Sequence, residues 1–302
     1  MNIRETAHAG SGAVLTSLNE GDASRLTPTY LLDQLAEHGY LVLRGFQRGI
    51  GHFSQLVRCT STTISLDPAR QFDGDTAQKV DAGYDAVGLH CENGNSPFWP
   101  DLCWFYCESA PQQGSQTTVC DGKLVYEHMS AAQREAFGAQ DIVYTRRVDA
   151  LRWKTYVFHA LASRGRMLAR VEDASLDDLL TLIEQPGTAQ VVPNEDGSIH
   201  YRFRTPAIRA SRINPRENRN FANSLFGPSN YYEKPVITFA DGCAIPAPLL
   251  EQTEALCERF TTEIGWQTGD IVLIDNTRVM HGRRAIEDRS RSIFNALSYA
   301  HS

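Results

Sequence analysis

Two histidines and one glutamate stand at positions where they could together hold a metal ion. His90 and Glu92 are separated only by Cys91, and His281 follows far downstream. Two imidazoles and one carboxylate bind non-haem iron(II) on one face and leave the opposite coordination positions open, which suits the activation of dioxygen. The alternative is a chance His-x-Glu pair together with a turn histidine that bonds a nearby carbonyl. The surrounding sequence has to decide between the two.

Strands are the elements that must bring these side chains together. In an extended strand alternate side chains point to one side, so we expect His90 and Glu92 to share a strand face while Cys91 turns away. Residues 85–89 form a largely apolar approach to His90, and residues 269–276 form a buried strand with turn-forming residues ahead of the distal histidine. Because so much chain separates the two halves of the site, only a folded sheet can place them side by side.

Three segments carry a resemblance to a known family. Residues 39–46 end in the letters RGF after a helical stretch, His90 and Glu92 form an H-x-E pair, and residues 275–283 have the form DNxRxxHGR. Over roughly residues 30–300, the chain resembles the taurine dioxygenase and clavaminate synthase-like group of iron(II)/2-oxoglutarate-dependent oxygenases. The 275–283 segment is the most specific of the three.

The resemblance implies a fold as well as a metal site. It implies a mainly β fold with flanking helices, built on a double-stranded β-helix, or jelly-roll, core. Residues 1–302 then form a single oxygenase domain, with a helical insertion or lid over about residues 149–186 between core strands. The resemblance also implies that His90, Glu92 and His281 are the iron ligands. Glu92 keeps the carboxylate that iron halogenases of this superfamily replace with a small residue, which argues against halogenation.

A cation is needed for the far carboxylate of 2-oxoglutarate, and an arginine suits it because its planar fork binds a carboxylate bidentately and keeps its charge. Arg291 opens a predicted strand and matches the family's 2-oxoglutarate arginine by its place at the start of the last core strand. Arg289, two residues earlier on the same strand face, is the alternative. Arg283 and Arg284 lie too near His281 to reach that carboxylate easily, and we interpret them as surface turn charges.

A hydroxyl donor is the second requirement of the cosubstrate site. Thr117 lies in residues 114–122, a segment that resembles the family's glycine-glycine-acid-threonine motif, whose threonine binds 2-oxoglutarate. The segment departs from that pattern at Ser115, which replaces the second glycine, and at Gln116, which replaces the acid. The alternative is a β-turn threonine without a chemical role.

The reaction implied by the resemblance consumes 2-oxoglutarate and dioxygen and releases succinate and carbon dioxide. We expect hydroxylation of an unactivated C–H bond in a small polar metabolite, such as an amino acid or a derivative. The same site could instead carry out desaturation, epoxidation or ring formation in a biosynthetic pathway. A non-catalytic jelly-roll binding protein or sensor is the distant alternative, because the metal ligands and the cosubstrate arginine are all retained.

Substrate contacts are the least determined part of the site. Asn93 and Asn95 follow the ligand pair directly and are candidates through their amides, although loop residues of this type often bond their own backbone. Arg202 and Arg204 share a strand face, and one of them, with Arg204 preferred, could hold a substrate carboxylate. A solvated charged face is the alternative reading of this arginine pair. Arg146, Arg147 and Arg152 carry the same ambiguity.

Composition limits the classes of partner and compartment. The chain has 302 residues with 42% hydrophobic content, enough for a sizeable core, and a net charge of −7 without a dense basic run. We therefore expect a small-molecule substrate and no nucleic-acid partner. No stretch has the apolar length of a membrane span, and residues 1–12 lack a signal peptide's apolar core, so a cytoplasmic location is expected. Seven cysteines, an odd number, suit a reducing compartment. The oligomeric state stays open.

Periodicity and turn residues predict the remaining elements. Thr27 caps a helix with Pro28 in its first turn, and Cys103 and Cys107 are packed strand residues rather than a metal clip. The other expected elements are helices over residues 51–59, 123–137 and 245–264, a loop over 65–85, and a hairpin of 190–192 with 199–203.

Overall fold

The computed structural model describes residues 2–65, 72–80, 83–183, 187–216, 219–227 and 233–301. Within these ranges the chain is mainly β, with seven α-helices packed around the sheets. The predicted fold class is confirmed at this level, as a mainly β protein with flanking helices.

The strands are short and are numbered in chain order. They are β1 (Ile3–Ala7), β2 (Ala13–Ser17), β3 (Tyr40–Arg44), β4 (Ser61–Ser65), β5 (Phe72–Asp73), β6 (Ala77–Lys79), β7 (Val87–His90), β8 (Leu102–Ser109), β9 (Thr117–Asp121), β10 (Ile142–Val148), β11 (Ala189–Pro193), β12 (Ile199–Thr205), β13 (Ile208–Arg209), β14 (Asn220–Phe221), β15 (Val236–Phe239), β16 (Thr261–Ile264), β17 (Ile271–Asp275), β18 (Val279–Arg283) and β19 (Ser292–Ala300). The α-helices are α1 (Pro28–His38), α2 (Ile50–Thr60), α3 (Gly122–His128), α4 (Ala131–Ala139), α5 (Ala150–Ser163), α6 (Leu176–Thr181) and α7 (Ala247–Arg259).

Three sheets organise the chain, together with the short pair β13–β14. The large sheet has the order β1-β2-β3-β17-β8-β19-β6-β5, with β4 also paired to β19. The facing sheet has the order β16-β9-β18-β7, and the outer sheet has the order β11-β12-β10-β15. Within the described part of the chain, the paired strands run antiparallel except for β2 and β3, which run parallel.

The central strands of the large sheet are buried on both faces, which explains their continuous apolar sequences. In β3, Leu41 and Leu43 pack in a cluster with helices α1 and α2. Val42, on the other side of the same strand, packs in a second cluster that also contains Val119 of β9 and Ile264 of β16. The large sheet and the facing sheet therefore pack against each other, and the predicted metal ligands lie at this junction.

Helix α1 begins and ends as its sequence predicts. The Thr27 hydroxyl accepts a hydrogen bond from the backbone N–H of Tyr30, and Pro28 occupies the first turn. Gly39 ends the helix with φ of 77°, a left-handed conformation that glycine adopts without strain. The chain then enters β3 directly.

Helices α5 and α6 lie between β10 and β11, where the helical insertion is predicted. Trp153, Val157 and Leu161 of α5 pack with Leu179 of α6 and with Ile199 of the outer sheet. Residues 184–186, at the end of the predicted insertion, lie outside the described residues. The predicted hairpin of residues 190–192 with 199–203 is present as β11 and β12.

Three predicted elements differ from the structure. The helix predicted over 245–264 ends at Arg259, because the β-branched residues that follow pair with β9 as strand β16. The helix predicted over 123–137 is two helices, since Ser130 caps α4 with a capping box. The loop predicted over 65–85 contains the antiparallel pair β5–β6, while its residues 66–71 and 81–82 lie outside the described residues.

The cysteines and the helices show two further properties of the fold. The seven cysteines all lie in the described ranges and form no disulfide, and Cys103 and Cys107 are buried in strand β8, as packed strand residues should be. Among the helices of the described ranges, none combines the length and apolar character needed to cross a bilayer.

Candidate metal centre

His90, Glu92 and His281 come together in the structure. One carboxylate oxygen of Glu92 lies 3.4 Å from Nε2 of His281 and 3.7 Å from Nε2 of His90. All three ligand atoms lie within 4.8 Å of one another. Two donor atoms that each lie about 2.1 Å from one metal ion are separated by about 3 to 4 Å, so this spacing fits a single ion. Antiparallel pairing of β7 with β18 sets His90 opposite His281.

The imidazole of His90 is held in the tautomer that a metal requires. Its Nδ1 lies 2.9 Å from the carbonyl oxygen of Gly88, which can only accept a hydrogen bond. The hydrogen therefore sits on Nδ1, and the lone pair of Nε2 points to the cluster of ligand atoms. Gly88 is needed here, since a Cβ at this position would lie 2.2 Å from the carbonyl oxygen of Phe226.

Glu92 does not lie on the strand that carries His90, which corrects the prediction. Strand β7 ends at His90, and Glu92 stands in the turn that follows. The side chain of Asn276 holds this turn, because its Oδ1 accepts from the Glu92 N–H at 2.8 Å and its Nδ2 donates to the Glu92 carbonyl at 2.9 Å. Cys91 is buried in an apolar cluster that includes Trp99 and Phe221, away from the ligands as expected.

Thr117 is buried at the start of β9, beside the indole of Trp266. The Trp266 Nε1–H donates to the Thr117 hydroxyl oxygen at 3.1 Å. Because an indole N–H can only donate, the hydroxyl hydrogen of Thr117 remains for another acceptor. Strand pairing also sets Thr117 opposite Arg283 of β18, so the two side chains lie on one face of the facing sheet.

Arg291 lies next to the segment that carries Thr117. Its Nη1 donates to the carbonyl oxygen of Ser115 at 2.8 Å. Burial, with the charge of nearby Arg283, lowers the pKa of Arg291 to about 10, so the guanidinium stays charged at neutral pH. Two guanidinium groups and a hydroxyl donor therefore meet in a partly buried region, an arrangement that suits a carboxylate.

The other arginines near the distal histidine divide between the surface and the interior. Arg289 is exposed, with its guanidinium carbon 4.3 Å from the ring centroid of Tyr84. Arg284 forms surface ion pairs with two glutamates, as predicted. The prediction of a surface charge is wrong for Arg283, which is buried and donates to the carbonyl oxygens of Gly83 and Asp85. Strand alternation turns Arg283 inward, to the face that also bears His281.

Comparison with known proteins decides the family. The sequence profile described as the taurine catabolism dioxygenase TauD, TfdA family matches residues 8–297. The chain belongs to the TauD/TfdA family. The predicted family and the predicted class of iron- and 2-oxoglutarate-dependent oxygenase are confirmed at the level of this family.

Individual relatives of this TauD/TfdA family member are distant. A clavaminate synthase-like protein of Arabidopsis thaliana is 25% identical over 224 residues, covering 68% of this chain and 63% of the relative. The dapdiamide synthesis protein DdaC of Enterobacter agglomerans is 24% identical over 315 residues, covering 95% and 91%. Among solved structures, PvcB of Pseudomonas aeruginosa has a TM-score of 0.60 at 13% identity, with 99% and 92% of the two chains covered. This structural likeness concerns the fold. In a second solved structure that is also similar to this chain, PvcB is described as an Fe, alpha-ketoglutarate dependent oxygenase from an isonitrile synthetic pathway.

Asn93 and Asn95 lie in the turn after Glu92, at the edge of a cleft. Asn93 has φ of 56° and lines a cavity of about 90 Å³ between α5 and the outer sheet. Asn95 is buried, and its Oδ1 accepts a hydrogen bond from Arg146 at 3.2 Å. The hydroxyl of Tyr201 donates to the Asn95 carbonyl at 3.1 Å. Asn95 therefore stabilises the turn, while Asn93 faces the space where a substrate could lie.

Arg204 does not join the other predicted site residues. Strand β12 alternates between buried and exposed residues, and Arg204 and Arg202 lie on its exposed face. The Arg204 side chain pairs with Asp141 at 2.7 Å. Tyr201, on the opposite face of the same strand, lines the cleft. The prediction that Arg204 holds a substrate carboxylate is corrected by this geometry, and the solvated charged face accounts for both arginines.

Several residues that build the site were not predicted to have a role. Asn276 holds the Glu92 turn, and Trp266 orients the Thr117 hydroxyl. A buried ion pair of Arg278 with Asp121, at 2.7 Å, joins the turn before β18 to the end of β9. Asn276 and Arg278 belong to the 275–283 motif, which is the only sequence signal for them. No local pattern marks Trp266, because its partner is distant in sequence.

Proposed function

We propose that this chain is an iron(II)- and 2-oxoglutarate-dependent oxygenase in which His90, Glu92 and His281 hold the metal. The observation that carries the proposal is the convergence of their three ligand atoms within 4.8 Å. When bound, iron(II) and 2-oxoglutarate supply the activation of dioxygen and the oxidation of a C–H bond, with release of succinate and carbon dioxide. Two imidazoles with one carboxylate match the ligand set of non-haem iron oxygenases.

The two packed sheets are the basis for a finer proposal about the fold. We infer that the large sheet and the facing sheet form the double-stranded β-helix of a single oxygenase domain. In support, one apolar cluster contains residues of both sheets, and the metal-ligating histidines project from adjacent strands of the facing sheet. Helices α5 and α6 then form the insertion beside the mouth of this core.

Thr117 and Arg291 are proposed to bind the far carboxylate of 2-oxoglutarate. Trp266 donates to the Thr117 oxygen, so the hydroxyl hydrogen is directed to another acceptor. Ser115 accepts from Arg291, which limits the motion of the guanidinium. We prefer Arg291 to Arg289 because Arg289 is exposed, whereas Arg291 is partly buried beside Arg283.

The protein's own side chains bind, orient and exclude water. The Gly88 carbonyl keeps the proton of His90 on Nδ1, so Nε2 is available as a ligand without a change of tautomer. Asn276 fixes the backbone on both sides of the Glu92 peptide. The ring of Phe105 lies with its centroid 5.2 Å from that of His281 and covers one side of the imidazole with apolar surface. No side chain is required as a general acid or base.

A small polar metabolite, such as an amino acid or a derivative, is the proposed substrate, and hydroxylation is the proposed outcome. The cleft beside Asn93 supports this size, since its cavity is about 90 Å³. Aromatic rings of Phe98, Trp153 and Tyr156 line it, together with the guanidinium of Arg146. A substrate with an apolar part and a hydrogen-bond acceptor would match this lining.

A second outcome, desaturation, epoxidation or ring formation in a biosynthetic pathway, is favoured by two of the relatives. DdaC is described as a dapdiamide synthesis protein, and PvcB as an oxygenase from an isonitrile synthetic pathway. The same metal and cosubstrate site would serve these reactions, because the position of the substrate determines which one follows.

An anaerobic titration of the metal-free protein with iron(II) and 2-oxoglutarate tests the proposal. We expect the weak visible charge-transfer band of the chelate in the wild-type protein. The band should be lost in His281→Ala, and Arg291→Ala should need much more 2-oxoglutarate to reach it. A folded wild-type protein without the band would refute the oxygenase proposal and favour a non-catalytic binding protein.

A further inference from the structure

Asn295 carries a buried carboxamide that the fold does not use. It lies in β19 and is 0% exposed, yet neither its Oδ1 nor its Nδ2 has a hydrogen-bond partner among the described residues. Folded proteins pair nearly all buried polar side-chain atoms with protein, ordered water or a ligand. An apolar side chain would pack here without this cost, so the amide points to a bound group.

The side chain of Asn295 faces the interior between the two packed sheets. Asn295 pairs directly with Phe105 of β8 and with Gln78 of β6, and directly paired residues project on the same face of a sheet. The ring of Phe105 contacts that of His281, with centroids 5.2 Å apart. The face that bears Asn295 is therefore the face that looks towards the metal-ligating histidines.

The neighbours of Asn295 along β19 pack against the sheet that carries the histidines. Ile293 and Leu297, two residues before and two residues after Asn295, belong to the apolar cluster that contains Val119 of β9. Val119 is paired with His281, and His281 is paired with His90 on its other side. The Asn295 face of β19 therefore packs against the facing sheet, on the side of the metal-ligating histidines.

Arg291 lies immediately before β19, four residues before Asn295, and close enough to Arg283 and to the interior residue Cys107 for their charges to act on its guanidinium. Four residues of extended chain span about 13 Å, which is more than a five-carbon chain with a carboxylate at each end can cover. The long side chain of Arg291 has to bridge part of this distance, so that the far carboxylate lies at its guanidinium and the near end lies at the metal ligands. Asn295 would lie beside the near end.

We propose that Nδ2 of Asn295 donates a hydrogen bond to the metal-proximal carboxylate of 2-oxoglutarate. This inference rests on the proposed function, and it gives the cosubstrate a polar contact at the end opposite Arg291. An N–H group forms a stronger hydrogen bond with a carboxylate than with a neutral acceptor, because the carboxylate is charged. The contact fixes the keto-acid end before it reaches the metal.

Anaerobic titrations of iron(II)-loaded protein with 2-oxoglutarate test the contact through the charge-transfer band. The variants are Asn295→Leu, which removes the amide at similar size, and Asn295→Asp, which keeps its shape but adds a negative charge. We expect about fivefold to tenfold weaker binding for the leucine variant and a larger loss for the aspartate variant. Iron(II) affinity measured without 2-oxoglutarate should stay unchanged, and the metal-free leucine variant should melt no lower than the wild type.

Pyruvate locates the contact, because it has the keto-acid end but lacks the far carboxylate. Asn295→Leu should weaken pyruvate chelation by the same factor as 2-oxoglutarate, whereas Arg291→Met should weaken only 2-oxoglutarate. Ser298→Ala is the matched control, since Ser298 is a buried polar residue of β19 that bonds Trp104 on the opposite face.

Each outcome bears on the proposal. Wild-type affinity for 2-oxoglutarate in a folded Asn295→Leu variant would overturn it and leave a bound water as the partner of the amide. An effect on 2-oxoglutarate without an effect on pyruvate would also overturn it, by moving the contact to the far carboxylate. Absence of the band in the wild-type protein would refute the proposed function itself and the inference with it.

Discussion

Replacement of Asn276 with alanine should separate the Glu92 turn from the strands that support it. The Asn276 side chain makes three hydrogen bonds, to the N–H and carbonyl of Glu92 and to the carbonyl of Pro100, at 2.8, 2.9 and 2.9 Å. Asn276 is 0% exposed, so water cannot simply replace the lost amide. Alanine would leave three backbone groups without these partners.

The magnitude follows from the number of bonds. A buried hydrogen bond contributes about 1 kcal/mol net, so the three together are worth about 3 kcal/mol of the free energy of unfolding. That is roughly two decades in the ratio of folded to unfolded protein and a large share of a typical domain's stability. Asn276→Asp keeps the acceptor for the Glu92 N–H but places an oxygen against two carbonyl oxygens. We expect it to be at least as destabilising at neutral pH.

Urea unfolding of the metal-free variants, followed by circular dichroism, measures this loss. Iron(II) affinity measured on the folded variants should fall by about ten- to a hundredfold, because residues that orient metal ligands usually have effects of this size. Asn194→Ala is a control, since its amide bonds only within a partly exposed hairpin. A loss below about 1 kcal/mol with unchanged metal affinity would refute the role assigned to Asn276.

Three further outcomes are expected. Trp266→Phe removes the hydrogen-bond donor to the Thr117 hydroxyl. It should weaken 2-oxoglutarate binding about fivefold in the charge-transfer titration, which is the equivalent of one hydrogen bond. Unchanged affinity would contradict the role of Trp266 in orienting the hydroxyl. Arg204→Ala should leave 2-oxoglutarate affinity and succinate formation unchanged, with a stability change under about 1 kcal/mol, and a large fall in turnover would return Arg204 to the site. A thiol reagent should react quickly with only two cysteines of the folded protein, the exposed Cys59 and Cys243. Of these two, Cys243 should react more slowly, because a hydrogen bond to the Asp241 carboxylate raises the pKa of its thiol and reduces the thiolate fraction. Rapid reaction of a third cysteine would contradict the burial pattern.

The sequence predicts the metal ligands because two of them are local and the third lies in a specific motif. It does not predict that Glu92 stands in a turn. A continuous strand would bring the Glu92 carboxylate to the side of His90, and the turn held by Asn276 brings it to the same place, so the sequence pattern does not distinguish the two structures. Arg283 is predicted at the surface from its charge and its distance from His281. Only the pairing of β18 with β9 reveals that its side chain points inward.

The prediction of element boundaries from the sequence is wrong at the end of α7 for a related reason. The segment after Arg259 continues the polar and apolar pattern of α7, but Thr261 and Ile264 pair with β9, and this distant partner ends the helix. The partner of Thr117 is also distant, because Trp266 lies in a different part of the chain. Local periodicity carries no information about such contacts, so tertiary pairing overrides it.

The pairing of His90 with His281 has a consequence for the biogenesis of the protein. The two histidines are 281 − 90 = 191 residues apart in the sequence, and they meet only when β7 and β18 have paired. A nascent chain that has been synthesised only as far as residue 200 has two of the three ligands and no partner strand for them. Closure of such a long loop costs chain entropy, which the contacts of the completed sheets must offset. Metal loading is therefore a late event, and an apo population should accumulate first whenever synthesis outpaces the supply of iron.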